Sequence, residues 1–300
     1  MRLQRLASIK DLEKKDILKI FQLTDEIKKG RHKKSLQGNI LALLFEKPST
    51  RTRTSFESAM LRLGGSSIYL DARTTQSSRG ETYADTARVL GLYVNVIAAR
   101  MNRHEDFLEL SGNAHVPAIN ALTDLEHPCQ ALSDIYTIRE SNKKLEGVKL
   151  AFVGDIATNT SNSLLLLSTK LGMKFTMIGP AAIKPNASYL KAAMAYGHAE
   201  VSTSMKKGLS DADFVYTDTW VSMGEEAESS KKIRAFSGYQ VDGKAMSYAA
   251  KGARFMHCLP AHRGQEVSAG VIDGKSSIVW EQAENKMYVE AAILLYLMKR

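Results

Sequence analysis

A chain of 300 residues exceeds the size at which a single hydrophobic core keeps growing, so two domains of ~100–150 residues are expected. Its 44% hydrophobic and 24% charged content is that of an ordinary soluble protein, and no apolar stretch approaches the ~18 uninterrupted residues of a membrane span. The formal charge of +9 favours anionic partners, and the two cysteines, Cys129 and Cys258, are too few for a disulfide framework.

The first sixteen residues carry charge but no apolar block with a cleavage site, so a cytoplasmic location is the expectation. Helical spacing of Leu12, Ile17, Leu18, Phe21 and Ile27 predicts a helix over Asp11–Lys29 that ends near Gly30. The basic run from Lys28 to Lys34 follows it and has no interleaved aromatic residue for base stacking. It reads as a solvated helix end, where cations suit the helix dipole, and not as a nucleic-acid surface. An apolar strand, Ile40–Phe45, comes next. Short strand-like runs at Ser67–Leu70, Val94–Ala99 and Val116–Ile119 then alternate with helical stretches at Arg53–Leu63, Thr82–Leu92, Glu105–Leu110 and Pro128–Glu140. This is the rhythm of a parallel α/β sheet.

The polar stretch Ser141–Lys149 separates a second alternating half. There strands are expected at Leu150–Gly154, Lys174–Ile178, Phe214–Thr217, Arg254–His257 and Ile278–Trp280, with helices at Ser161–Leu171 and after Pro185. The segment Glu281–Met298 carries Met287, Val289, Ile293, Leu294 and Leu297 on one side and needs a partner surface. The fold class is therefore α/β, with two domains, each a parallel-type sheet flanked by helices.

Chemistry concentrates in a few segments. From Ser49 to Ser55 hydroxyl residues occupy five of seven positions, with Arg51 and Arg53 at the other two, immediately before a helix. Backbone N–H groups at a helix N-terminus favour phosphate, and guanidinium groups add bidentate contacts. A capping box of Thr54 and Glu57 accounts for one hydroxyl and one carboxylate of this run only. Farther on, Pro128 suits a first helical position, which leaves His127 at the cap and Gln130 one turn in. Both then belong to the carboxyl edge of a sheet, where open α/β folds bind ligands. His257, Cys258 and His262 with His127 and Cys129 suggest zinc, but no C-x-x-C pair occurs. Adjacent residues on a strand also face opposite sides, so His257 and Cys258 are not expected to share a metal. Only Gly154 fits a dinucleotide fingerprint and no P-loop is present, so no cofactor is expected.

Together, Ser49-Thr50-Arg51-Thr52-Arg53, His127-Pro128-Cys129-Gln130 and His257-Cys258-Leu259-Pro260 resemble the transcarbamoylase family. Gln76 with Arg79-Gly80-Glu81, the run Asp85–Leu90 and Glu281-Gln282-Ala283-Glu284-Asn285 follow in that family's order. The resemblance implies that residues 1–141 with 282–300 bind carbamoyl phosphate, the last helix packing back on the first domain. Residues 142–281 would bind the amine substrate. It assigns Ser49, Thr50, Arg51, Thr52 and Gln76 to the phosphate, and Arg100, His127, Gln130 and Thr52 to the carbamoyl group. Cys258 and Leu259 are also counted, with Lys286, among the carbamoyl phosphate-binding residues; Cys258 and the carbonyl of Leu259 are assigned beside the reacting amine, and a cis Leu259–Pro260 bond is implied.

Within the family, Asp218 and Ser222-Met223-Gly224 resemble the members that act on ornithine. These residues imply transfer to the δ-amine of L-ornithine, giving L-citrulline and phosphate, with Asn159, Asp218, Ser222 and Met223 around the α-amino acid end. Putrescine and N-acylated ornithine are the competing acceptors, and both lack the free α-amino group that Asp218 would meet. The catalytic groups implied are Arg100, His127, Asp218 and Cys258. A homotrimer with shared active sites is the family's expectation, with no nucleic-acid or membrane partner. One departure stands out, because Lys286 occupies the place where the family has arginine after Glu-Asn. Lysine keeps the charge but lacks the planar fork, so it is expected to hold carbamoyl phosphate more weakly or to be replaced in that task.

Overall fold

The computed structural model describes residues 4–221 and 229–298. The chain forms two compact units, Met1–Tyr136 with Asn285–Arg300, and Thr137–Glu284. Both crossings between them lie inside helices, Pro128–Asn142 and Val279–Met298.

The first unit holds five parallel strands: β1 (Arg5–Leu6), β2 (Ile40–Phe45), β3 (Ser66–Asp71), β4 (Val96–Arg100) and β5 (Ala118–Leu122), in the order β1-β5-β4-β2-β3. Five consecutive residues of β2, Leu41 to Phe45, are fully covered. That is why a central parallel strand reads as a continuous apolar run rather than an alternation. The chain leaves β2 toward β3 and returns on the other side of β2 to β4, so the order reverses between β2 and β4. Phe45 and Arg100 are paired at the carboxyl end of that switch point. The C-terminal helix belongs to this unit from Asn285 onward. Lys28 Nζ donates to Asn285 Oδ1 at 2.8 Å, and Tyr296 Oη donates to Asp16 Oδ1 at 2.7 Å.

The second unit repeats the plan with β6 (Lys149–Val153), β7 (Lys174–Ile178), β8 (Ala199–Ser202), β9 (Phe214–Thr217) and β10 (Arg254–His257), all parallel in the order β10-β9-β6-β7-β8. Its order reverses between β6 and β9, where Val153 and Thr217 are paired. Gly154 follows β6 with φ +114°, where a side chain is strained, and a Cβ there would stand only 3.1 Å from Trp220 Nε1, which would have to give way.

Some expected elements move. Ile278–Trp280 is not a strand: Ser277 makes a single bridge to Phe255, and the final helix begins at Val279. The helix expected from Arg53 begins three residues earlier, at Thr50, with Ser49 as its cap. Thr54 therefore lies inside it, donating to the Thr50 carbonyl at 2.7 Å, and forms no capping box with Glu57. The strand expected at Val94–Ala99 runs instead from Val96 to Arg100, which puts Arg100 at its end. The two-residue β1 and the edge strand β8 lacked an apolar run long enough to declare them.

Candidate functional site

In the first unit, the chain leaving β2 enters the Thr50–Arg62 helix at the switch point. Ser49 is extended (φ −154°, ψ 108°), and its Oγ accepts from Thr52 N at 3.3 Å, which orients the first turn. No acidic residue occupies that turn, so the positive end of the helix keeps its affinity for anions. The Arg51 side chain is exposed. Arg53 is not available as a second anion fork, because its Nε donates to Glu57 Oε1 at 3.0 Å and its guanidinium stacks 3.8 Å from the Tyr69 ring centre.

Arg100 ends β4 and is buried, as are Thr52, His127 and Gln130. His127 lies just before Pro128, the first residue of its helix, as the sequence predicted. Its imidazole is held well below the usual histidine range, first by burial and then by the cations Lys286 and Arg100. The ring is therefore neutral at physiological pH and carries one N–H that can be donated. Lys286 is buried and connects two elements, donating to Gln130 Oε1 at 2.9 Å and to Thr52 Oγ1 at 3.3 Å. Gln130 is also anchored through Nε2, which donates to Asp134 Oδ1 at 2.7 Å. Gln76 differs from these residues. It is exposed, in the short helix Gln76–Arg79, and no hydrogen bond among the described residues joins it to them.

The second unit gathers a different set at the same edge of its sheet. Asp218 follows β9, and its Oδ1 accepts from Thr219 N at 2.8 Å and from the Cys258 thiol at 3.1 Å. Cys258 follows β10. Asn159, half-buried, opens the Asn159–Lys170 helix behind the Thr158 cap. Ser222 and Met223 lie outside the described residues.

The Cys258–Pro260 turn is tightly held. Leu259 has φ +59° and its bond to Pro260 is cis, as the resemblance implied. Leu259 N donates to His257 Nδ1 at 2.8 Å, so the ring proton sits on Nε2 and is donated to Glu266 Oε1 at 3.2 Å. The same oxygen accepts from His262 N at 2.5 Å. Glu266 thus fixes the turn that carries Cys258, a role its sequence position did not announce. Replacing Glu266 by Ala strands both donors and is expected to cost about 3 kcal/mol, read as a lower denaturant midpoint. An unchanged midpoint would remove Glu266 from this role.

One geometric expectation fails here. Asp218, His257 and Cys258 each place a potential ligand atom within 4.8 Å of the others. Strand alternation does not separate His257 from Cys258, because β10 ends at His257 and Cys258 already belongs to the turn. Among the described residues the His257 ring nitrogens are taken by Leu259 and Glu266, which leaves the imidazole as a strut for the turn.

Two parallel α/β units, each with its polar groups at the carboxyl edge beside a switch point, define a two-domain protein built on the ligand-binding plan of open sheets. One set surrounds a helix N-terminus with cations, and the other pairs a carboxylate with a thiol. The chain belongs to the aspartate/ornithine carbamoyltransferase family: its carbamoyl-P binding domain matches residues 4–140 and its Asp/Orn binding domain matches residues 146–297.

Among curated relatives, the chain is 44% identical over 303 residues to the ornithine carbamoyltransferase of Methanobrevibacter smithii, covering 99% of this chain and 100% of that one. It is 42% identical over 299 residues to that of Bacillus thuringiensis, covering 98% and 94%. The solved ornithine carbamoyltransferase from Pyrococcus furiosus superposes with a TM-score of 0.94 at 42% identity, covering 99% of this chain and 97% of that one. The anabolic enzyme from Campylobacter jejuni gives 0.93 at 41% identity, with 99% of each chain covered.

Proposed function

We propose that this chain transfers the carbamoyl group of carbamoyl phosphate to the δ-amine of L-ornithine, giving L-citrulline and phosphate. The observation that carries the reading is 42–44% identity to ornithine carbamoyltransferases along essentially the whole chain. In this reading the first unit supplies the groups for the donor. The first-turn N–H groups of the Thr50–Arg62 helix, with Ser49, Thr50, Arg51 and Thr52, take the phosphate, Gln76 donates a hydrogen bond to it, and Lys286 adds to its charge compensation. Arg100, the neutral His127 and Thr52, assisted by Gln130, donate to the carbamoyl oxygen.

Attack by the δ-nitrogen forms the N–C bond and moves an electron pair onto that oxygen. These donors stabilise the charge where it develops, which is where an oxyanion site acts most strongly. Collapse of the tetrahedral species re-forms the carbonyl and breaks the C–O bond to phosphate. Arg51 and the helix terminus then hold the departing anion. The nitrogen loses its extra proton to that phosphate.

Groups of the second unit serve the acceptor. An alkylamine has an unperturbed pKa of about 10.4, and only its neutral form attacks. Asp218 meets the cationic α-amino group, and Asn159, Ser222 and Met223 take up the rest of the α-amino acid end. Cys258 and the Leu259 carbonyl orient the δ-amine. The Cys258 to Asp218 hydrogen bond supports treating these two as one device. Assembly as a homotrimer with shared sites and a cytoplasmic location accompany the reading. Among the described residues no helix is long and apolar enough to cross a membrane.

The test is citrulline formation from carbamoyl phosphate with ornithine, with carbamoylation of putrescine, N-acetylornithine and aspartate measured in parallel. Ornithine is expected to lead by about 100-fold or more in kcat/KM, the discrimination available to a site with dedicated polar partners. Equal or better turnover of any other acceptor would sink the assignment. Light scattering of the same preparation tests the trimer.

A further inference from the structure

One turn beyond Lys286 on the final helix lies Glu290, in a stretch that is otherwise apolar from Val289 to Leu295. It is completely buried, and neither carboxyl oxygen has a hydrogen-bond partner among the described residues. Three groups face it. Lys286 comes from its own helix, the Ser55 hydroxyl from the Thr50–Arg62 helix, and the Cys129 thiol from the Pro128–Asn142 helix. Ser55 donates to the Thr52 carbonyl at 3.2 Å, so its proton is directed away from Glu290, and Lys286 is the only cation among the three. Burial pushes the Glu290 carboxyl up to about 8, against the pull of Lys286, and also pushes the Cys129 thiol up, with Glu290 adding to that rise.

A buried carboxyl without donors is a poor structural element, since an apolar side chain would occupy the helix position at less cost. Its i, i+4 spacing from Lys286 puts it behind the ammonium that holds Thr52 and Gln130. We propose that Glu290 is a positioning residue for the carbamoyl phosphate site, acting through Lys286: its ionised form balances the ammonium only while the site is empty, and the phosphate-bound site holds it protonated. The proposal rests on the reading of Lys286 as a donor-site residue. The physical reason is that an ammonium drawn toward a phosphate dianion leaves the buried carboxylate behind it less compensated, which favours its protonated form. A phosphoryl group with a second pKa of ~6 is already dianionic in the range concerned, so the proton comes from solvent and goes to Glu290. Donor affinity then falls as pH rises above about 8, where the empty enzyme holds Glu290 ionised.

The test uses the full chain. The Michaelis constant for carbamoyl phosphate is measured from pH 7 to 9.5 in the wild type and in Glu290→Gln, with that for ornithine as the internal control. The wild-type value is expected to rise about tenfold between pH 8 and 9.5, while the variant stays flat and the two ornithine profiles remain parallel. Calorimetric titration with carbamoyl phosphate at pH 8, in two buffers of different ionisation heat, reads the proton directly. About half a proton per site is expected for the wild type and none for Glu290→Gln. Identical pH profiles overturn the proposal. Absence of proton uptake by the wild type does so as well, and needs no variant to fold. Lys286→Met separates the two readings. A raised Michaelis constant in that variant with parallel wild-type and Glu290→Gln profiles removes only Glu290, whereas an unchanged constant removes Lys286 from the donor site and the proposal with it.

Discussion

Replacing Arg100 by Met is expected to lower kcat for citrulline formation by about 10²–10³-fold, the loss typical of one missing oxyanion donor. Arg100 is buried at the end of β4, directly opposite Phe45 at the switch point, and methionine fills most of its length without the charge. A donor that acts on charge developing in the transition state affects kcat and kcat/KM together. The Michaelis constant for ornithine should therefore change little. His127 should remain neutral in this variant, since burial outranks the Arg100 cation among the causes that hold it low. The pH–rate profile should gain no new acid limb. A normal kcat with only a raised Michaelis constant for carbamoyl phosphate would show that Arg100 binds the ground state and does not stabilise the oxyanion.

The second large effect is expected at Asp218. Asp218→Asn keeps the shape and an acceptor for the Cys258 thiol and Thr219 N–H, and removes only the charge. Loss of one charge-assisted contact to an α-ammonium is worth about 1.5–3 kcal/mol, so kcat/KM for ornithine should fall roughly 10–100-fold. N-acetylornithine, which has no cationic α-nitrogen, should lose nothing further. The ratio between the two acceptors is thus the informative number. A loss shared equally by both, or one confined to carbamoyl phosphate, would mean that Asp218 does not recognise the α-amino group.

The alternation of apolar runs and amphipathic stretches was enough to anticipate both sheets, because central parallel strands such as β2 and β6 are covered on both faces and read as unbroken hydrophobic segments. Elements stabilised by a few bonds to distant residues were harder to see. β1 pairs two residues with Ala118 and Ile119, and nothing local in Arg5–Leu6 foretells that. Ile278–Trp280 has strand-like composition, yet only Ser277 finds a bridge before the helix begins.

The phosphate segment was legible because its chemistry is local: cap, hydroxyls and arginine all lie within one helical turn. Even so, the availability of Arg51 and not Arg53 depended on Glu57 and Tyr69, the second of which lies on another element. Glu266 and Glu290 were overlooked for opposite reasons. The partners of Glu266 are set by a turn whose geometry no spacing rule describes. Glu290 could have been noticed as a lone carboxylate in an apolar helical run, four residues after the lysine that departs from the family pattern.

Lys286 reaches Thr52 and Gln130 across 234 and 156 positions of sequence. A ribosome making this chain must therefore translate the whole of the second unit before it supplies the helix that finishes the first. Domains generally fold in the order they are synthesised, but here the earlier one lacks its last helix until the later one has been made. The donor site becomes a late product of biosynthesis, so a nascent chain interrupted after the second unit would leave Thr52 and Gln130 without their cation.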